Sequence, residues 1–310
     1  MRRDTTKKHT EPKAKYRVKN WAQYNAGLIA RGDVTMWIDG SMCTAPAAQT
    51  PKRGHPLVHS DALIQGLLGL KQVFRLPLQG FAGSLRKLAF PDLTIPHYAT
   101  LSRRAQGLEI VLPAWRPGEP VHLVIDSTGL KLYGEGEWKV RKHGWSKRRT
   151  WRKVHLAMDA NTGQVCAALM THQDVSDGEV LPDLLDQIPS DVPIETIGGD
   201  GAYDTKPCHA QIDARGAAPS IPPREGAMPR PDSTLGAAWR NAAIDAIGKS
   251  SRREWKQAVG YHRRSLVETL MYRLKVLTGP CLWARKIGSQ ATEVSIRVGV
   301  LNRMAALACP

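Results

Sequence analysis

A Pro-rich stretch at residues 113–120 splits this 310-residue chain into two parts whose apolar residues recur with different periods. This change constrains the fold most, because a helix turns every third or fourth side chain to its core and a strand every second. Before the stretch the period is helical. Leu63, Ile64, Leu67, Leu68 and Leu70 mark one helix, and Phe81, Leu85 and Leu88 mark a second from near Pro77, stopped by Pro91. Thr94 to Pro96 caps a third, containing Tyr98, Leu101, Arg103 and Arg104. The last two read as a helix-turn-helix with a basic face, and equally as an ordinary small helical bundle. Residues 1–57 form a basic, Pro- and Gly-containing arm with a short helical stretch near 20–30.

After residue 120 the period is that of strands. Val121 to Ile125, Trp151 to Met158 and Gln164 to Thr171 are expected strands, the latter two joined by the turn Asp159 to Gly163. Asp177 opens a helix through Leu181, Leu184, Leu185 and Ile188; Ile194 to Ile197 is a fourth strand, and Ala218 to Ile221 a fifth. Late helices follow. This order predicts an α/β domain with a mixed sheet over 118–310, preceded by a small all-α domain over 58–107 and the arm over 1–57.

Charge narrows the partner. Lys and Arg total 44 against 28 acidic residues, a formal net charge of +16, which favours a polyanion and above all nucleic acid. Cys43, Cys166, Cys208, Cys281 and Cys309 show no closely spaced pair, so neither a zinc site nor a disulfide framework is indicated. A reducing cytoplasm fits. No run approaches the ~18 apolar residues of a membrane span, and Met1 to Thr10 lacks a signal-peptide core, so membrane association is not expected.

The candidate chemistry is acidic. Asp126 follows the first strand, before Ser127, Thr128 and Gly129, and Asp200 follows the fourth, after Gly198 and Gly199. Neighbouring strand ends bring such carboxylates together, and an oxygen-lined acidic pocket suits hard cations such as Mg²⁺ or Mn²⁺. Each aspartate alone is also an ordinary turn cap. Asp204 is a rival to Asp200, set further beyond the strand end. In a late helical stretch Tyr261, Arg264, Glu268 and Lys275 fall within roughly 60° of one another at helical spacing, with Leu266, Leu270, Leu274 and Leu277 opposite. That stripe is also a common pattern of solvated helices. Its glutamate is a reasonable third ligand.

On these residues the chain resembles the bacterial insertion-sequence DDE transposases, and is most similar to the insertion sequence five group. The first aspartate motif resembles Val124 to Gly129, the second Gly199 to Asp204, and the tyrosine, arginine, glutamate and lysine signature matches Tyr261, Arg264, Glu268 and Lys275. The resemblance covers roughly residues 20 to 307. It implies an RNase H-like catalytic domain with Asp126, Asp200 and Glu268 as ligands of Mg²⁺ or Mn²⁺, as two ions, and Tyr261, Arg264 and Lys275 holding the transposon end. Arg264 and Lys275 also fit a role orienting Glu268.

Between the first two strands lies the densest charge run. Lys139, Arg141, Lys142, Lys147, Arg148, Arg149, Arg152 and Lys153 interleave with Trp138, Trp145 and Trp151. The cations suit phosphates, and indoles such as Trp145 stack on bases near a cut end or pack beneath a hairpin. His143, His155, His172, His209 and His262 lack metal-ligand spacing and read as structural. The expected activity is a nucleoid-associated transposase of the bacterial cytoplasm, acting as a homodimer with no small-molecule substrate. It would cut double-stranded DNA at terminal inverted repeats and join the 3′-hydroxyl ends to target DNA. The rivals are a nuclease without strand transfer and a catalytically silent DNA-binding regulator of transposase descent.

Overall fold

The computed structural model describes residues 20–33, 37, 38, 42, 58–80, 95–110, 112, 119–132 and 151–307. The expected helix carrying Phe81, Leu85 and Leu88, and most of the basic run with Lys139, Arg141, Lys142, Trp145, Lys147, Arg148 and Arg149, lie outside the described residues.

Helix α1 (Trp21–Gly32) is followed by α2 (Asp61–Phe74) and α3 (Tyr98–Arg104). Ser60 starts α2 by accepting a hydrogen bond from the Leu63 amide at 3.2 Å. The cap of α3 is His97, whose ring nitrogen accepts from Ala99, one residue beyond the expected Thr94 to Pro96 start, of which Thr94 lies outside the described residues.

The sheet holds β1 (Val121–Leu132), β2 (Trp151–Asp159), β3 (Val165–His172), β4 (Ile194–Gly198) and β5 (Ala218–Ser220), in the order β3-β2-β1-β4-β5. The first three strands are antiparallel, whereas β4 and β5 add in parallel. A helix α4 (Leu181–Leu185) and a helix α5 (Lys206–Ala214) make the parallel connections. This is an RNase H-like mixed sheet preceded by helices. After β5 come α6 (Ala237–Lys249), α7 (Arg252–Ala258), α8 (Ser265–Thr278), the two-residue strand β6 (Cys281–Leu282) and α9 (Ile287–Ala306).

One expectation needs correcting. β1 does not give way at Asp126: it runs on to Leu132, with Ser127, Thr128 and Gly129 paired to His155, Val154 and Lys153 of β2. Two long antiparallel partners extend each other, since every added residue satisfies further backbone groups. Gly129 belongs there because a β-carbon would lie 3.2 Å from the Trp151 ring. The strand β6, too short to show in the sequence, pairs with β1 at Lys131 and Leu132.

Alternation along β1 decides what each face meets. Leu123 and Ile125 pack with Leu181, Leu184 and Ile212 of α4 and α5. Val124 and Leu130 pack with Val267, Leu270 and Leu274 of α8 and with Val294 and Val298 of α9. Helix α9 is covered on its other side by α2 and α3, through Ile296, Val300 and Met304 against Leu63, Leu67 and Leu101. A helix buried on both sides must pair its polar groups internally. Asn302 does so with both backbone groups of Val165, at 2.7 and 2.9 Å. Arg297 bonds the carbonyls of Gly279 and Cys281 and meets Glu293 at 2.5 Å, while Glu293 accepts from the amides of Trp283 and Ala284. These bonds lock the β6 segment onto α9. No helix among the described residues is long and apolar enough to cross a membrane.

Arg297→Met should destabilise the protein by about 3–5 kcal/mol, because buried Glu293 loses its counter-charge and keeps only the Trp283 and Ala284 amides. Urea unfolding checks this, and pairing the change with Glu293→Gln should recover part of the loss. A midpoint unchanged from wild type would refute the assignment.

Candidate active site

The parallel pairing of β1 with β4 places Val124 opposite Gly198, so Asp126 and Asp200 each lie two residues beyond the same point of the sheet. Asp126 follows the alternation of Val124 and lies on the α8 face. Its Oδ1 accepts the Ser127 amide at 2.8 Å, which fixes the carboxylate. Asp200 caps a 3-10 turn, Gly201–Tyr203, its Oδ1 accepting the Ala202 amide at 2.8 Å. The turn-cap reading is therefore met at Asp200 through one oxygen. Gly199 lets Tyr203 fold back beneath this turn, since a β-carbon there would meet the ring at 2.8 Å.

Glu268 comes from the first turn of α8 and is 54% exposed. The late stripe is not carried by one continuous α-helix as the spacing suggested. Gly260, with φ +65°, ends the preceding segment, and Tyr261–Arg264 forms a separate 3-10 turn before α8 begins at Ser265. The apolar face also differs from the sequence expectation: Leu266 is 42% exposed, and Val267 and Met271 take its place beside Leu270 and Leu274.

The turn brings Arg264 between two of the carboxylates. Its Nη2 donates to Asp126 Oδ2 at 2.9 Å, and its Nη1 to Glu268 Oε1 at 2.6 Å. Burial works against the guanidinium charge, but Asp126, Tyr261 and Glu268 outweigh it and hold the Arg264 pKa above its ordinary value. Burial, reinforced by the like charges of Asp200 and Asp177, raises the Asp126 pKa even though the Ser127 amide and Arg264 oppose it. Lys275 lies two turns further along α8, about 10 Å from Glu268 at helical rise. Tyr261 carries Lys256 over its ring at 4.7 Å.

Asp204, the rival, is in a different setting. Its carboxylate is 1% exposed and receives His209 Nε2 at 3.1 Å, Arg240 Nε at 2.7 Å and the Arg224 amide at 2.9 Å. Burial alone would raise its pKa, but those donors hold it well below the usual carboxylate range. Asp204 ties α5, α6 and the Pro-rich stretch together, with no capacity left for a ligand.

Two residues that the sequence did not single out for the site border it. Asp177 forms an ion pair with Lys153 Nζ at 2.8 Å and lies 3.4 Å from Nδ1 of the His155 ring. Tyr203 is 1% exposed with its hydroxyl unpartnered, and burial plus Asp177, Asp126 and Asp200 push its pKa up. Position in the sequence offered no signal, since Asp177 lies in a connection and Tyr203 in a turn. Lys153 also donates to the Val175 carbonyl, and Arg152 donates to Gln290 on α9, so both basic residues described from the run make contacts within the protein. His155 and His209 are structural, bonded to Thr171 and Asp204.

Three carboxylates supply only hard oxygen donors, the chemistry a divalent ion of the Mg²⁺ type takes. In arrangement the group is closed by Arg264, and no three acidic, His or Cys side chains among the described residues are gathered as a ready ion site.

Two models of known families match this chain. Both are described as a transposase DDE domain, one matching residues 29–135 and the other residues 117–298, more than half of the chain.

Burial pushes the His155 pKa down to about 4, Asp177 opposing and Lys153 adding. The unfolded chain therefore binds the proton first, so stability from neutral His155 is present above pH ~6.5 and is lost as pH falls toward 4. His155→Gln should flatten that part of the stability curve by up to about 3 kcal/mol, at ~1.4 kcal/mol per tenfold change in proton affinity. Urea midpoints taken across that range test it; parallel curves would show the histidine is not responsible. Asp204→Asn should lower stability at neutral pH by about 3 kcal/mol or more, by unpairing Arg240. Its effect should fade in strong acid, where Asp204 is protonated in the wild type.

Proposed function

Because the chain belongs to the DDE transposase family and is thus an enzyme of DNA transposition, we propose that it moves an insertion sequence of the insertion sequence five group. It cuts DNA at the terminal inverted repeats and joins the freed 3′-hydroxyl ends to target DNA. What supports the assignment is that Arg264 bonds both Asp126 and Glu268, while the charge of Asp200 acts on the same arginine and on Tyr261. Transposases of this family generally use divalent metal ions. Asp126, Asp200 and Glu268 would hold Mg²⁺ or Mn²⁺, as two ions, which supply charge neutralisation at the phosphodiester and a more acidic water or hydroxyl.

The chain's own residues do the positioning. Backbone amides clamp one oxygen of each aspartate, so the carboxylates stay oriented while charge develops on the phosphate. Tyr261, Arg264 and Lys275 hold phosphates of the transposon end on the same side. The segment carrying Lys139, Arg141, Lys142, Trp145, Lys147, Arg148, Arg149 and Arg152 extends that contact along the duplex. Residues 58–107 form the helical DNA-binding domain, 1–57 the basic arm and 118–310 the catalytic domain. A homodimer handles the two ends together.

Asp126→Asn, Asp200→Asn and Glu268→Gln should each lower Mg²⁺-dependent cleavage of a labelled element end by about a thousandfold, as several kcal/mol of transition-state stabilisation go. Cleavage retained in all three would sink the assignment. Joined products on a supercoiled target would separate transposition from simple hydrolysis.

A further inference from the structure

Arg264 lies between Asp126 and Glu268, two of the three carboxylates that would hold the divalent ion. Asp126 has two carboxylate oxygens, and both are occupied: Oδ1 by the Ser127 amide and Oδ2 by Arg264 Nη2 at 2.9 Å. The other arm of the same guanidinium takes Glu268 Oε1 at 2.6 Å. A planar fork with fixed donor directions thus bridges an acid on the sheet to an acid on a helix, neutralising mutual repulsion that would otherwise grow as the carboxylates approach. An ion held by Asp126 and Glu268 would compete with that guanidinium for the same two negative charges.

We propose that Arg264 is a placeholder cation, exchanged for the divalent ion when DNA arrives. Resting on the reading of Asp126, Asp200 and Glu268 as the metal site, it adds that this site is held shut in the DNA-free protein by the protein's own charge. Three observations support the exchange. Arg264 ends a short 3-10 turn that begins after Gly260, so no long α-helix restrains its backbone from the N-terminal side. Its Nε is buried without a hydrogen-bond partner, so the bridged position leaves one donor unsatisfied. Its partner Glu268 is more than half exposed, which opens a path for the guanidinium from the carboxylates to a phosphate at the surface. A phosphate that accepts the arginine vacates both carboxylates, and an ion that takes them releases the arginine. DNA and metal therefore bind with positive coupling, and the coupling is reciprocal. The device keeps the acidic site from loading fully until a DNA end is present.

Mn²⁺ binding to the full chain, followed by the electron paramagnetic resonance of the free ion, tests this without reference to turnover. In the absence of DNA, Arg264→Gln should bind Mn²⁺ about five- to a hundredfold more tightly than wild type, the usual range of such couplings. Adding a short DNA duplex should tighten Mn²⁺ binding to the wild type by a comparable factor and leave Arg264→Gln nearly unchanged. Arg264→Lys keeps the charge but cannot span both carboxylates, and should also bind Mn²⁺ more tightly than wild type. If Arg264→Lys matches wild type while Arg264→Gln tightens, net charge rather than the bridge sets the affinity, and the proposal falls. It falls equally if Arg264→Gln binds no better than wild type, while Asp126→Asn abolishing binding would leave the metal-site reading intact. Mn²⁺ binding that survives Asp126→Asn and Glu268→Gln in the Arg264→Gln background would instead overturn the metal site itself.

Discussion

The parallel pairing of β1 with β4 is the constraint from which the rest of the site follows. It aligns Val124 with Gly198 and thereby sets Asp126 and Asp200 at the same height on neighbouring strands. Alternation then turns Asp126 to the face covered by α8 and α9, while Leu123 and Ile125 anchor the strand from the other face. Because β1 is buried on both faces and paired along both edges at its start, Asp126 has a rigid base. A one-residue slip would carry its side chain to the α4 and α5 face, away from Glu268.

Packing of the late helices supplies the second half. Helix α9 lies between the sheet and the N-terminal helices, and its internal pairs, Arg297 with Glu293 and Asn302 with Val165, hold it there. Helix α8 rests on the sheet beside it through Val267, Leu270 and Leu274. The turn Tyr261–Arg264 is thereby delivered to the middle of β1. The N-terminal helices thus share their apolar core with an element of the α/β region.

Burial separates structural charges from available ones. Asp204, Glu293 and Arg297 are nearly inaccessible and each is bonded to several protein donors or acceptors. Asp126 and Glu268, at 15% and 54% exposure, share a single guanidinium. Similar residue types at similar distances from glycine-rich turns therefore end in different chemistry: Asp200 keeps an oxygen outside its cap, whereas Asp204, four residues on, is consumed by His209, Arg224 and Arg240.

Much of this was legible in local pattern. The apolar runs of β2 and β3, the helical spacing of Leu63, Ile64, Leu67, Leu68 and Leu70 in α2 and the stop at Gly198 and Gly199 are written in neighbouring residues, because period and turn chemistry depend on contacts a few positions apart. The extension of β1 through Ser127, Thr128 and Gly129 was not, since those residues resemble a turn and become strand only when β2 pairs with them. The helical stretch carrying Tyr261, Arg264, Glu268 and Lys275 was legible, and Arg264 meets Glu268 four residues on as the spacing suggested, but its start as a 3-10 turn after Gly260 was not. By itself the sequence determined the element order, the basic character and the family. Only the tertiary structure decided that Arg264 meets Asp126 across 138 positions, because an ion pair at that separation exists only once sheet register and helix packing have brought its two ends together.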